Sequence, residues 1–289
     1  MPSPCPLRRR RKLFVELIGK VNVKQMPAIV VLVKNVPDTW STRTLNPDFT
    51  LNREGVDEVI DEVNEFAVEQ ALRLRDENPD AGYSVVALSA GPESAEEALR
   101  KALAMGADSA VLLHDAALAG SDILGTAWAL TNALNTIPDV ALVVAGSASS
   151  DGAMGALPGI LSEYRQQPAL TNLKKVALEG GIVKAVRETN DGDYEIEAPL
   201  PAIISVTDKA DKPRFPNFKG IMAAKKAEIT RLDLASIGVA AEQVGLAHAA
   251  TAVTAASPRP ARAGGEVIRG TASDVAAKIA DFIAAEKLI

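Results

Sequence analysis

The stretch "ALVVAGSASSDGAMGALP", Ala141–Pro158, decides how the chain is read. Ala141–Ala145 is an apolar run suited to a strand buried on both faces. At Gly146 the chain turns small, with Ser, Ala, Ser, Ser, Asp, Gly and Ala in succession. A loop with so little side-chain bulk lets another group approach the backbone closely. The following "LPGILSEYR" can form a helix, so the unit is strand, loop, helix. In parallel α/β sheets, ligands sit outside the carboxyl ends of strands, where helix N-termini present their positive ends. Ser147, Ser149 and Ser150 offer hydroxyls, while Gly146, Gly152 and Gly155 let the backbone curve, a combination that suits a phosphate. The loop has neither the Lys-Ser/Thr of a Walker loop nor a G-x-G-x-x-G pattern. On spacing alone a second reading stands beside the cradle: an ordinary strand-to-helix turn with Asp151 as N-cap.

Outward from this unit the same alternation recurs. Strands are expected over 28–34, 83–90, 109–114 and 140–146, and helices over 57–77, 93–107 and 122–135, with a glycine stop at Gly106. The order predicts an α/β fold with a mainly parallel sheet and helices on both faces. From about Thr171 the texture changes to a β-hairpin section turning at Gly180-Gly181 and Asp191-Gly192, followed by a core strand over 201–207. Residues 208–226 read as a loop bearing Pro, Lys and Phe. An extended C-terminal arm then ends in an amphipathic helix over 274–288. The expected organisation is an N-terminal extension over 1–25, an α/β domain over 26–235 and the arm over 236–289.

Composition narrows the chemistry. Cys5 is the single cysteine and His114 and His248 the only histidines among 289 residues, so thiolate metal sites and a Ser-His-Asp triad are poorly supplied. Residues 1–25 hold seven Lys and Arg against one Glu, a formal +6, so the remainder carries −12. An acidic body disfavours nucleic acid. No apolar run is long enough to span a membrane. The Arg-rich tail resembles a signal peptide poorly; a transit peptide and an extension from an upstream start codon are the two readings, and "MPAIVVLVK" at Met26 favours the second.

Smaller candidates have plain alternatives. Arg100 and Lys101 read as solvated helix charges, Trp128 as core, and His114 as structural. Asp38 and Arg43, near the end of the first strand, could face a ligand, with ordinary loop positions as the favoured alternative.

Several stretches together resemble the beta subunit of the electron transfer flavoprotein: "VVLVKNVPDT", "NEFAVEQALRLRDE", "GPESAEEALRKALAMGADSAVLL", "SDGAMG" and "PAIISV…DKPRFPNFKGIMAAKK". The resemblance runs from about Met26 to Ile289. It implies an adenine-nucleotide-binding α/β fold and a heterodimer with an alpha subunit that holds most of a shared FAD, with an AMP in this chain. It implies that the AMP phosphate falls on Ser149, Ser150, Asp151, Gly152, Ala153 and Gly155. The adenosine end then falls against Leu32, Asp61, Val63, Asn64 and Ala90. Relatives often carry D-G-D-x-G-Q-x-G in the loop; here Ala153 and Ala156 have lost an acid and an amide. The flavin-facing position after the first strand is Thr39, with Trp40 beside it. A partner-docking loop is implied at Lys209, Ala210, Asp211, Arg214 and Phe215, with Ala210 at the anchoring position. The implied activity is electron carriage from acyl-CoA and related flavin dehydrogenases towards a quinone-linked oxidoreductase, with no catalytic residue from this chain. The compartment would be the bacterial cytoplasm, or the mitochondrial matrix in a eukaryote. The rival reading is a stand-alone nucleotide-binding regulator of the universal-stress-protein type, which lacks a long arm.

Overall fold

The computed structural model describes residues 26–257, 260 and 264–288. The expected N-terminal extension, 1–25, lies outside the described residues. The chain divides into two compact units, one ending at Ala252 and the other beginning at Val253.

The strands of the first half are β1 (Ala28–Leu32), β2 (Asn35–Pro37), β3 (Glu58–Ile60), β4 (Ser84–Ala90), β5 (Ser109–Leu113) and β6 (Val140–Gly146). They are followed by β7 (Ala169–Glu179), β8 (Ile182–Thr189), β9 (Gly192–Pro199), β10 (Ala202–Val206) and β11 (Ile229–Leu232). The helices are α1 (Glu62–Glu77), α2 (Glu96–Met105), α3 (Ile123–Thr136), α4 (Leu157–Arg165), α5 (Phe218–Lys226) and α6 (Ala272–Ala285).

β1 is buried along its whole length, and its alternate residues feed two cores. Ile29 and Val31 pack with Ala67, Leu72, Leu99 and Leu103 of α1 and α2. Val30 and Leu32 pack with Leu130, Leu134 and Leu161 of α3 and α4. The period of two in a strand thus places helices on both faces of the sheet. The sheet has nine strands in the order β11-β5-β4-β1-β6-β10-β7-β8-β9. It is parallel from β11 to β7. β8 and β9 extend it as antiparallel hairpins turning where the glycines predict. The chain winds from β1 outward through β4 and β5, then returns to the other side of β1 as β6. The carboxyl ends of β1 and β6 therefore flank the topological switch point, the place where open α/β sheets receive ligands.

Several expectations are corrected. The helix expected from residue 57 starts at Glu62, because Glu58–Ile60 pairs antiparallel with Asn35–Pro37 in a separate two-stranded sheet. The loop expected over 208–226 ends in a helix, α5, capped by Asn217, whose Oδ1 accepts from the Gly220 amide at 2.8 Å. Arg100 is not a solvated charge. It donates to the Ala224 and Ala227 carbonyls at 2.6 Å each, satisfying the last turn of α5. Residues 236–252, assigned to the arm, pack on the first unit through the buried Ile237, Val239 and Val244. In the second unit, Thr271 caps α6 and no residue of the helix is buried.

Leu142, fully buried under α1, and Ile279, half-exposed on α6, should respond differently to truncation. In urea unfolding, Leu142→Ala should lower stability by about 3 kcal/mol. Ile279→Ala should change it by less than about 0.5 kcal/mol.

Candidate ligand-binding site

The loop after β6 runs from Ser147 to Ala156, and α4 begins only at Leu157 with no side-chain cap. Asp151 is therefore not the N-cap of that helix. Gly146 is required at the loop's root: a Cβ there would lie 2.6 Å from Val63 Cγ1 and 2.8 Å from Asn64 Nδ2. That contact seats the first turn of α1 over the end of β6. Asp61, 2% exposed, accepts from the Ser150 amide at 2.6 Å, and Asn64 accepts from the Lys34 amide at 2.8 Å. Ala153 and Gly155 have positive φ, 51° and 64°, so the backbone turns out towards solvent. The amides of Ser150, Gly152 and Ala153 are taken by acceptors within the site. Those of Ala148, Ser149, Asp151, Met154, Gly155 and Ala156 meet no acceptor among the described residues.

Three basic side chains converge on this loop, Lys34 from just beyond β1 and Arg43 and Arg53 from the segment between β2 and β3. Lys34 Nζ lies 2.7 Å from Asp151 Oδ1 and 3.5 Å from Ser149 Oγ. Arg53 reaches Asp151 Oδ2 at 3.1 Å and also pairs with Glu58. Arg43 donates to the Ser150 carbonyl at 2.6 Å and to its Oγ at 3.2 Å. The Asp151 side chain is only 4% exposed. Burial opposes its ionisation, but the Lys34 ammonium and hydrogen bonds from Lys34, Ser149 and Gly152 hold the carboxyl below the ordinary carboxylate range.

The structure brings Asp61, Val63, Asn64, Gly146 and Ser149–Asp151 together at one end of the sheet. Leu32 and Ala90 end neighbouring strands at the same edge, with Leu32 paired to Leu88. Leu32, Asp61 and Asn64 are buried, whereas Gly152, Ala153 and Gly155 are exposed. A shallow groove of about 550 Å³ borders the loop's exit at Gly155, Ala156, Gly159 and Ile160, against Leu124 and Tyr164. None of Leu32, Asp61, Val63, Asn64 and Ala90 lines it, so its walls are not those expected to hold an adenosine. Lys34 and Arg53 were not singled out from the sequence. For Lys34 the signal is position, since it follows a central strand at its carboxyl end; for Arg53, well inside the segment between β2 and β3, there is none.

His114 bonds the Gly91 carbonyl through Nδ1 at 3.0 Å, tying two strand ends together. Trp128 packs edge-on against Tyr164 at 5.6 Å, partly within the core. Asp38 accepts from the Trp40 amide at 3.0 Å, and Trp40 itself is 95% exposed.

The loop after β10 is pinned on both sides. Lys209 pairs with Glu188 on β8 at 2.6 Å, and Asp211 pairs with Arg73 on α1. Arg214 grips the buried Glu69 of α1 with Nε at 2.7 Å, a second guanidinium nitrogen at 3.1 Å and its own amide at 3.0 Å. Ala210 packs against the core, while Phe215 and Phe218 stand 87% and 79% exposed. The bulky side chains of this segment therefore face solvent rather than folding back.

Fold and site together define a doubly wound α/β protein with a built loop at its switch point and a rigidly held loop beside it. The "Electron transfer flavoprotein domain" family model matches residues 48–237. The electron transfer flavoprotein subunit beta of Mycobacterium tuberculosis (strain ATCC 25618 / H37Rv) is 52% identical over 267 residues, covering 91% of this chain and all of that protein. The Mycobacterium leprae subunit is 51% identical over the same coverage. Subunit CarD of the caffeyl-CoA reductase-Etf complex of Acetobacterium woodii is 34% identical, covering 84% of this chain and 92% of that one. The chain belongs to the electron transfer flavoprotein beta-subunit family.

Two outcomes follow from the ion pairs. Asp151→Asn should cost about 1–2 kcal/mol at neutral pH. Because the folded carboxyl titrates below its ordinary range, its contribution is present above that range and lost as the pH falls through the lowered value. Urea midpoints of wild type and variant should accordingly converge below the ordinary carboxylate range. Arg214→Ala leaves the Glu69 carboxylate buried without its grip and should cost about 2 kcal/mol by the same measurement.

Proposed function

We propose that this chain is the beta half of a heterodimeric electron carrier. Its companion, the alpha subunit, holds most of an FAD that is shared between them, and this chain holds an AMP in the loop after β6. The complex takes electrons from acyl-CoA and related flavin dehydrogenases and delivers them towards a quinone-linked oxidoreductase. The FAD, when bound, supplies the electron chemistry; the chain's own residues bind, orient and exclude water. No residue here serves as acid, base or nucleophile.

The observation that carries the nucleotide reading is the loop at the switch point. It offers amides at Met154, Gly155 and Ala156, and hydroxyls at Ser149 and Ser150, beside the start of α4. Two orphaned buried atoms support a polar ligand at the same strand ends. Ser89 Oγ, one residue before Ala90, and Asn35 Oδ1 have no partner among the described residues. Ser149, Ser150, Asp151, Gly152, Ala153 and Gly155 would surround the phosphate, and Leu32, Asp61, Val63, Asn64 and Ala90 the adenosine end. In this reading Thr39 and Trp40 would face the flavin. The pinned segment Lys209–Phe215 is the docking loop, and its alanine at 210 moves the apolar contact to Phe215 or Phe218. The second unit supports partner binding as well: α6 leaves Ile279 and Phe282, three positions apart, on an uncovered apolar face. No helix among the described residues is long and apolar enough to cross a membrane. The reading places the complex in the bacterial cytoplasm.

Co-expression with the alpha subunit should yield a yellow 1:1 complex that releases one AMP and one FAD on denaturation. Gly155→Val, at φ 64°, should lower AMP content through a backbone cost of roughly 1–2 kcal/mol while FAD stays at one per complex. A complex free of adenine mononucleotide, or retention of flavin by this chain alone, would reject the assignment.

A further inference from the structure

Residues 38–57, between β2 and β3, form an excursion with internal order of its own. Leu45 bridges Leu51, and Asn46, Asp48 and Thr50 close a hydrogen-bonded turn at its tip. Its side chains reach outward very selectively. Among the described residues, every side-chain hydrogen bond from 38–56 that leaves the excursion and its two stem strands ends on Ser150 or Asp151. The excursion and the loop after β6 are thus coupled at two points.

The two points are unequal. Arg53 is part-buried, and it also donates to the Asn35 carbonyl and pairs with Glu58, so it is held whether or not Asp151 is engaged. Arg43 is exposed, and apart from a 3.5 Å approach to the Pro37 carbonyl it bonds only Ser150. One tie acts as a fixed point and the other can let go. Leu32, Asp61 and Asn64, the positions given to the adenosine end, are buried in this arrangement. The protein's own atoms cover them, so a nucleotide reaches or leaves these positions only when the loop or its neighbour shifts.

We propose that Arg43 is a latch: its guanidinium fastens the 38–57 excursion to Ser150 and thereby sets the rate at which an adenine nucleotide leaves the loop. The proposal rests on the nucleotide reading above and deepens it, since it assigns control of exchange to a residue outside the binding loop. Arg43 is a positioning residue, acting through Ser150.

The test uses the complete complex of this chain with its alpha subunit, loaded with radiolabelled AMP and chased with unlabelled AMP. Arg43→Ala should raise the AMP release rate about tenfold, the effect of losing hydrogen bonds from a charged donor, and Arg43→Lys, which keeps one donor, should fall between. Amide exchange over 147–156 should rise in Arg43→Ala and stay unchanged over the distant hairpin 182–199. A merely structural loss of stability would raise both. Unchanged AMP release, or exchange raised equally in the two regions, overturns the latch. If wild-type complex holds no AMP, the nucleotide reading fails separately. The fastening is then judged on exchange alone: selective loosening of 147–156 sustains it, and no change removes it.

Discussion

The Asp151 carboxylate, nearly excluded from solvent and gripped by Lys34 and Arg53, is the interaction on which the site depends. It joins three segments distant in sequence: the end of β1, the excursion after β2, and the loop after β6. Charges taken out of water at such a junction gain little net stability, because desolvation offsets much of the attraction. What they supply is geometry. A carboxylate held from both sides has one favourable position, so the loop that carries it has one favourable course. Lys34 keeps part of its side chain in solvent, which softens the cost of burying its partner.

Around that junction the remaining contacts are steric or neutral. The missing Cβ of Gly146 lets α1 sit directly on the end of β6, and Asp61 then fixes the Ser150 amide. The loop is consequently ordered by the protein itself. A ligand meeting it would lose less freedom on binding than one that had to order a mobile loop. The same ordering consumes donors: amides given to Asp61, Ser149 and Asp151 are not free for a phosphate. Among the described residues, unpaired amides are left at Ala148, Ser149 and Asp151 and in the outer turn, where φ becomes positive at Ala153 and Gly155.

The parallel sheet and its two flanking layers were legible because β1, β4, β6 and β10 are continuous apolar runs, which only a doubly covered sheet tolerates. The hairpins were legible through the turn dipeptides Gly180-Gly181 and Asp191-Gly192. What escaped reading has a common physical cause: it is defined by distant partners. Glu58–Ile60 looks helical by local pattern and becomes a strand because Asn35–Pro37 lies opposite. α5 forms where Arg100, more than a hundred residues earlier, satisfies its last carbonyls. In the site, the small residues announced the loop, but the loop's shape comes from Lys34, Arg43 and Arg53, whose side chains carry no local signature.

This division also bears on Ala153 and Ala156, where the family resemblance leads one to expect an acid and an amide. Had the loop's course relied on those side chains, two alanines would have left it slack. Here neither position contributes a side-chain tie; Ala153 is held by its own amide, which donates to the Ser149 carbonyl at 2.8 Å. The ties come from Asp61, Asp151 and the basic residues Lys34, Arg43 and Arg53. The lost side chains therefore subtract direct contacts with a ligand without subtracting the arrangement of the backbone. A site built this way discriminates by shape and by the direction of its amides more than by side-chain chemistry, and it can change its rim residues while the fold keeps presenting the same donors.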